Sequence, residues 1–179
     1  MELTRLKGKV QTVLGLIEAD DLGIVLPHEH FFIDMRNYFI EPSKPDEKEL
    51  VHQPITLGNL SWVRSHRKSN LDNLQLMDEK TAIEETLDFK KAGGSTIADL
   101  TPNHVGRNPS GLVRVAQATG LNVVMGTAYY VEQSYRPEMG MDSKSEEDIA
   151  EEFVRDITVG VGDIGIRAGI IGELGCRGH

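Results

Sequence analysis

"GIVLPHEHFFID", residues 23–34, decides the fold. Its apolar run of Ile24, Val25 and Leu26 reads as a buried strand, and the run ends on Pro27 and two histidines, His28 and His30. A doubly wound nucleotide-binding sheet carries a glycine-rich phosphate turn directly after its first strand. Residues 27–34, "PHEHFFID", contain no glycine, so the dinucleotide reading fails. A (β/α)8 barrel instead gathers its chemistry at the C-terminal ends of its strands. The polar residues collect at such ends here: His28 and His30, then Thr101 to His104, then Tyr129 and Tyr130, then Glu173.

The rest of the chain supports that choice. "DEKTAIEETLDFKKAGG" (78–94) reads as a helix, with Asp78 as N-cap, Lys90 and Lys91 late, and Gly93–Gly94 as the stop. "STIADLT" (95–101), "LNVVMGTAYY" (121–130) and "IRAGIIGELG" (166–175) read as strands. Between them lie helices "PSGLVRVAQATG" (109–120), closed by Gly120, and "SEEDIAEEFVRDITVG" (145–160), with Ser145 and Asp148 in capping-box spacing. The order β-α-β-α-β-α-β with near-continuous apolar strands implies a parallel sheet covered by helices. Ahead of it, "KVQTVLGLIE" (9–18), the acidic turn "ADDLG" (19–23) and the first strand read as a short hairpin leading into a buried strand. Residues 36–77 form a long first βα loop, too long to be structureless, with a short helix expected in "NLSWVRSHRKSNLDNLQL" (59–76).

Composition narrows the function. The 179 residues are 39% hydrophobic, enough for the core of one domain. A net charge of −9, with no basic cluster beyond "RSHRK" (64–68), argues against nucleic acid and anionic membrane as partners. The single cysteine, Cys176, excludes an internal disulfide and fits a reducing compartment. No signal-peptide core and no run near the ~20 apolar residues of a membrane span is present. The expectation is a cytosolic protein acting on a small molecule.

On a strand, residues i and i+2 share a face, so His28 and His30 point together while Glu29 points away. Two imidazoles so placed can both reach one metal ion. Glu173 lies among Ile170, Ile171 and Leu174, where a carboxylate is costly unless ion-paired or metal-bound. With all three at one end of a barrel, the metal reading is favoured over a structural salt bridge.

"GLIEADDLGIVLPHEH" (15–30), "KAGGSTIADLTPNHVGRNP" (91–109), "ATGLNVVMGTAYY" (118–130) and "FVRDITVGVGDIGIRAGIIGELGC" (153–176) together resemble the phosphotriesterase family of metal-dependent hydrolases, in the amidohydrolase superfamily. The likeness covers nearly the whole chain and is strongest to the family's phosphotriesterase-related branch of animals. It implies a TIM barrel with two divalent metal ions, usually zinc. His28 and His30 would bind the more buried ion, and Glu173 would stand where a fourth-strand residue bridges both. Classical members carry a carbamylated lysine there, so a glutamate would make assembly independent of carbamylation. The resemblance further implies hydrolysis of a small N-acyl amide such as N-acetyltaurine, with organophosphate esters and lactones as alternative substrates. Tyr129 and Tyr130 are candidate substrate-binding residues. Arg107 looks like the arginine of the family's Gly-Arg-Asp, and Asn108 in the third place puts a salt bridge there in question.

The family's remaining ligands lie on strands five, six and eight, so residues 1–179 are expected to form the N-terminal half of one barrel domain, strands one to four. No catalytic residue is assigned within this half. His104 is expected to be a solvated loop residue, and His179 is given no role. Barrel-interior side chains such as Ile97, Val124 and Ile170 would then face water, and two sheet edges would stay unpaired, so aggregation or a homodimer is expected. An incomplete hydrolase ranks above a short binding isoform and above a half-barrel that pairs with a second copy.

Overall fold

The computed structural model describes residues 6–175, so Cys176 and His179 lie outside the described residues. The first strands described form an antiparallel hairpin, β1 (Lys9–Thr12) and β2 (Gly15–Glu18). This corrects the expected hairpin. The turn falls at Val13–Leu14, and "ADDL" (19–22) is instead a single 3-10 turn leading into the parallel sheet. Val13 has no turn chemistry to announce it; it is held because its side chain is buried in the core and its N–H donates to Val123 O at 2.8 Å.

Next come β3 (Ile24–Glu29), β4 (Ile33–Asp34), α1 (Leu60–Ser65), β5 (Gln75–Leu76) and α2 (Glu79–Lys91). Then follow β6 (Gly94–Asp99), α3 (Pro109–Thr119), β7 (Asn122–Thr127), α4 (Glu146–Thr158) and β8 (Ile170–Ile171). Strands β3, β6, β7 and β8 pair in that order, all parallel, as a four-stranded half-barrel. Helices α2 and α3 fill the successive crossovers from the first loop to β7, and α4 fills the last. The caps follow the sequence reading: Asp78 accepts from Thr81 N, Ser145 and Asp148 form the capping box, and Gly120 ends α3 in the left-handed region.

Between β4 and β5, which pair antiparallel and close the long loop at its base, the chain makes 3-10 turns and α1. Irregular backbone leaves carbonyls without ladder partners. Fully buried Asn70 answers part of that need, donating from Nδ2 to Leu50 O and Gln53 O at 2.8 and 2.9 Å.

The two faces of the sheet differ. Ile97, Val123 and Met125 are buried with Leu112, Val115 and Ala116 of α3, with Phe31, Phe32 and Val13 in the same core. Among the described residues, the apolar cluster on the opposite face is smaller, Ala98, Leu100 and Val124, with Val10 of the hairpin against them. Ile97 therefore does not fill the barrel interior, as expected from sequence; it faces the helices, and Val124 is covered by the hairpin. Ile170 does face solvent, 39% exposed. Strand β3 is not buried either: Ile24 is 61% exposed, because β3 has a strand on one side only among the described residues.

Candidate metal centre

Pro27 breaks the regular register of β3 against β6, between the pairs Leu26–Ile97 and Glu29–Asp99. Proline brings no N–H to the ladder, so the strand bends where the histidines begin. Beyond β8, Gly172 N donates to Thr127 O and Glu173 N to Leu100 O, which carries Glu173 across the end of the sheet toward β3. Strands β3 and β8 are the two outer strands, yet their ends meet.

There the structure brings His28, His30 and Glu173 together, with one donor atom from each lying within 4.8 Å of the others. Both imidazole Nε2 atoms face the same carboxylate oxygen, Glu173 Oε2, at 3.5 Å from His28 and 3.4 Å from His30. The rings stand edge to face with centroids 5.4 Å apart. His28 is half exposed, whereas the side chains of His30 and Glu173 are 25% and 29% exposed. Glu29 turns to the other side, as alternation requires, and lines a groove against Thr81 and Glu85 of α2.

The arrangement fits a small divalent cation. Ligands at zinc's Zn–N and Zn–O distances in a tetrahedron sit about 3.3–3.4 Å from one another. The two histidine-to-glutamate separations match that spacing. Two imidazoles and a carboxylate are also the donor set that zinc accepts at catalytic positions.

A cavity of roughly 200 Å³ opens beside the cluster, lined by His30, Glu173, Tyr130, Ile33, Met35 and Val105. Tyr130 therefore lines this cavity, and Tyr129 is turned elsewhere: its hydroxyl donates to Glu152 Oε1 of α4 at 2.7 Å, accepts from Lys144 Nζ at 2.7 Å, and its ring stacks on His104 and Phe153. Burial pushes the Tyr129 hydroxyl's pKa up, partly offset by Lys144. Alternation separates the two tyrosines, a signal present in the sequence but not used. His104 is exposed in its loop, in line with expectation, and holds a left-handed backbone at φ 64°.

Asp34, between the two cavity residues Ile33 and Met35, is clamped by Arg36 through Nε and Nη2 at 2.9 and 2.8 Å, and by Arg136 at 3.5 Å. The hydrogen bonds from Arg36 are the main reason its carboxyl titrates near 2, below its ordinary 3.8. Arg136 belongs to the segment after β7, so this clamp ties two loops at the mouth.

On the helix side, Arg107 finds its partner not at position 108 but on α4: Nη1 donates to Asp156 Oδ2 at 3.0 Å and to Gly126 O at 3.1 Å. Asn108 does a different job, capping α3 by accepting from Gly111 N.

Sequence reasoning assigned no role to Asp99, which is 1% exposed. Its carboxylate accepts Phe31 N at 2.7 Å and Thr101 N at 3.0 Å, and burial pushes its carboxyl up against these hydrogen bonds. Thr101 Oγ1 in turn lies 3.1 Å from His30 Nδ1. A charge inside "STIADLT" was the available signal, the same kind that singled out Glu173.

The phosphotriesterase family model matches residues 8–179. An N-acetyltaurine hydrolase of Dictyostelium discoideum is 37% identical over 194 aligned positions, covering 97% of this chain and 52% of that protein. A phosphotriesterase-related protein of Nematostella vectensis is 38% identical over 172, covering 94% of this chain and 49% of its own length. Among solved structures, a resiniferatoxin-binding protein from Rhodobacter sphaeroides superposes with a TM-score of 0.88 at 36% identity, over 94% of this chain and 46% of that one. The chain spans about half the length of the relatives it matches.

Proposed function

This chain belongs to the phosphotriesterase family, and on that premise we propose that His28, His30 and Glu173 hold a divalent metal ion, zinc, in a hydrolase. The observation that carries the reading is the convergence of two imidazole nitrogens on one carboxylate oxygen at 3.4 and 3.5 Å. An ion bound there supplies a Lewis acid and a water of lowered pKa. Two imidazole nitrogens and one carboxylate would leave a bound divalent ion net positive, and so able to attract an acyl or phosphoryl oxygen. Glu173 has a second carboxylate oxygen with which to share a second ion, and being a glutamate it needs no carbamylation to carry its charge.

For substrate, the reading is a small N-acyl amide such as N-acetyltaurine, supported by the Dictyostelium discoideum relative's name. Tyr130, Ile33, Met35 and Val105 form the wall against which the acyl group packs. The 179 residues by themselves are expected to bind metal without turnover, since the described residues offer no second cluster of three ligands.

The test is a zinc titration of the 179-residue chain against a chromophoric chelator. Stoichiometric binding is expected, abolished in His28→Ala and in Glu173→Gln. Binding that survives both substitutions, or none in the wild type, refutes the assignment. Among the described residues no helix is long and apolar enough to cross a membrane.

A further inference from the structure

Three consecutive residues at the end of β6 each hold a piece of the histidine-glutamate cluster. The Asp99 carboxylate takes the N–H of Phe31, directly after His30. Leu100 donates its N–H to Glu29 O at 3.0 Å and accepts from Glu173 N at 3.2 Å. The Thr101 hydroxyl meets His30 Nδ1 at 3.1 Å, and Thr101 is fully buried. Water is therefore not available to satisfy that hydroxyl.

The direction of that hydrogen bond follows from the ligand reading. As a ligand, His30 Nε2, the atom that faces Glu173 at 3.4 Å, must keep its electron pair, so the ring proton lies on Nδ1 and the Thr101 hydroxyl accepts it. The Asp99 carboxylate accepts the N–H groups of Phe31 and Thr101, which fixes the backbone on either side of this contact. No such partner is found for His28 Nδ1 among the described residues.

We propose that Asp99 and Thr101 are positioning residues of the metal site: the carboxylate fixes the backbone of Thr101 and of Phe31, and the hydroxyl locks His30 in the Nδ1–H form with Nε2 presented to the ion. The proposal rests on the reading of His28, His30 and Glu173 as ligands. It makes a hydroxyl the partner of the ligating histidine, where metal sites more often use a carboxylate or a backbone carbonyl.

Two measurements on the 179-residue chain test it. The first is the His30 tautomer, read from long-range proton–nitrogen couplings of 15N-histidine-labelled, metal-free protein at a pH where imidazole is neutral. The Nδ1–H form is expected in the wild type and in Thr101→Ser, and a mixture in Thr101→Val. The second is zinc affinity, expected to fall about 10- to 100-fold in Thr101→Val and Asp99→Asn and to be kept in Thr101→Ser. A wild-type His30 protonated at Nε2 overturns the proposal. So does a Thr101→Val chain that binds zinc within about threefold of wild type, while leaving the ligand assignment intact. A wild type that binds no zinc overturns the ligand assignment and this proposal with it. Should Thr101→Val fail to fold, the wild-type tautomer decides.

Discussion

Two polar clusters sit near the C-terminal ends of the strands, one on each side of the sheet, and they are built to opposite rules. On the helix side, Arg107, Asp156 and Thr127 close on one another: Asp156 Oδ2 accepts from Arg107 at 3.0 Å and from Thr127 Oγ1 at 2.8 Å, with the charged side chains 8% and 7% exposed. Arg107 Nη1 and the Thr127 hydroxyl both meet acceptors there. In the other cluster, two imidazole nitrogens converge on one carboxylate oxygen, partly open to solvent. A self-satisfied buried pair is architecture; the open, convergent set is the one we propose as a site.

The contrast is broken or sharpened first at Arg107. Arg107→Ala leaves the Asp156 carboxylate buried without its counter-charge, a loss of about 3–5 kcal/mol in unfolding free energy. Urea denaturation measures it, and a change below about 1 kcal/mol would remove the distinction between the clusters. His30→Ala should do the reverse. Zinc affinity should drop by more than about 100-fold, as expected when a ligand rather than its support is lost. Chelator competition reads that loss, and denaturation of the metal-free chain should change little.

The third expected effect is smaller and depends on pH. Asp34 titrates near 2 when folded and near its ordinary 3.8 when unfolded, held down chiefly by hydrogen bonds from Arg36. The clamp's stabilisation is therefore complete above the unfolded value and is lost as pH falls through the folded one. A shift of this size is worth about 2 kcal/mol at most, because Arg36 is half exposed and screened. Stability measured from pH ~5 down to ~2 should fall less steeply in Asp34→Asn than in the wild type. Parallel curves would show that the clamp contributes nothing.

What the sequence made legible was local. The i, i+2 spacing of His28 and His30, the caps at Asp78 and Ser145, and a carboxylate among isoleucines at Glu173 all carry their meaning within a few residues. The misread features depend on distant partners. Arg107 and Asp156 are 49 positions apart, and their pairing waits on α4 packing against the end of β7. The contacts of Asp99 with Phe31 and of Thr101 with His30 exist only because β6 lies beside β3. Ile24 and Val25 read as buried because an apolar run says nothing about how many neighbouring strands it has. Tyr129 and Tyr130 read as a pair, although adjacent residues on an extended segment part to opposite sides.

The smallest expected effect concerns the residue beside Arg107. In the family's Gly-Arg-Asp an aspartate stands where this chain has Asn108, and from sequence alone the change suggests a lost ion pair. In the structure Arg107 is already matched by Asp156, and position 108 is the N-cap of α3, its Oδ1 accepting Gly111 N at 3.0 Å. Aspartate caps a helix about as well as asparagine, and its charge adds a favourable interaction with the helix N-terminus. Asn108→Asp should therefore be neutral or stabilising by about 0.3–1 kcal/mol, less at high salt. Asn108→Ala should cost about 1 kcal/mol. Destabilisation by Asn108→Asp would mean that the new carboxylate draws Arg107 away from Asp156. In that outcome the helix-side cluster is not closed, and the rule separating it from the histidine-glutamate cluster fails at its first term.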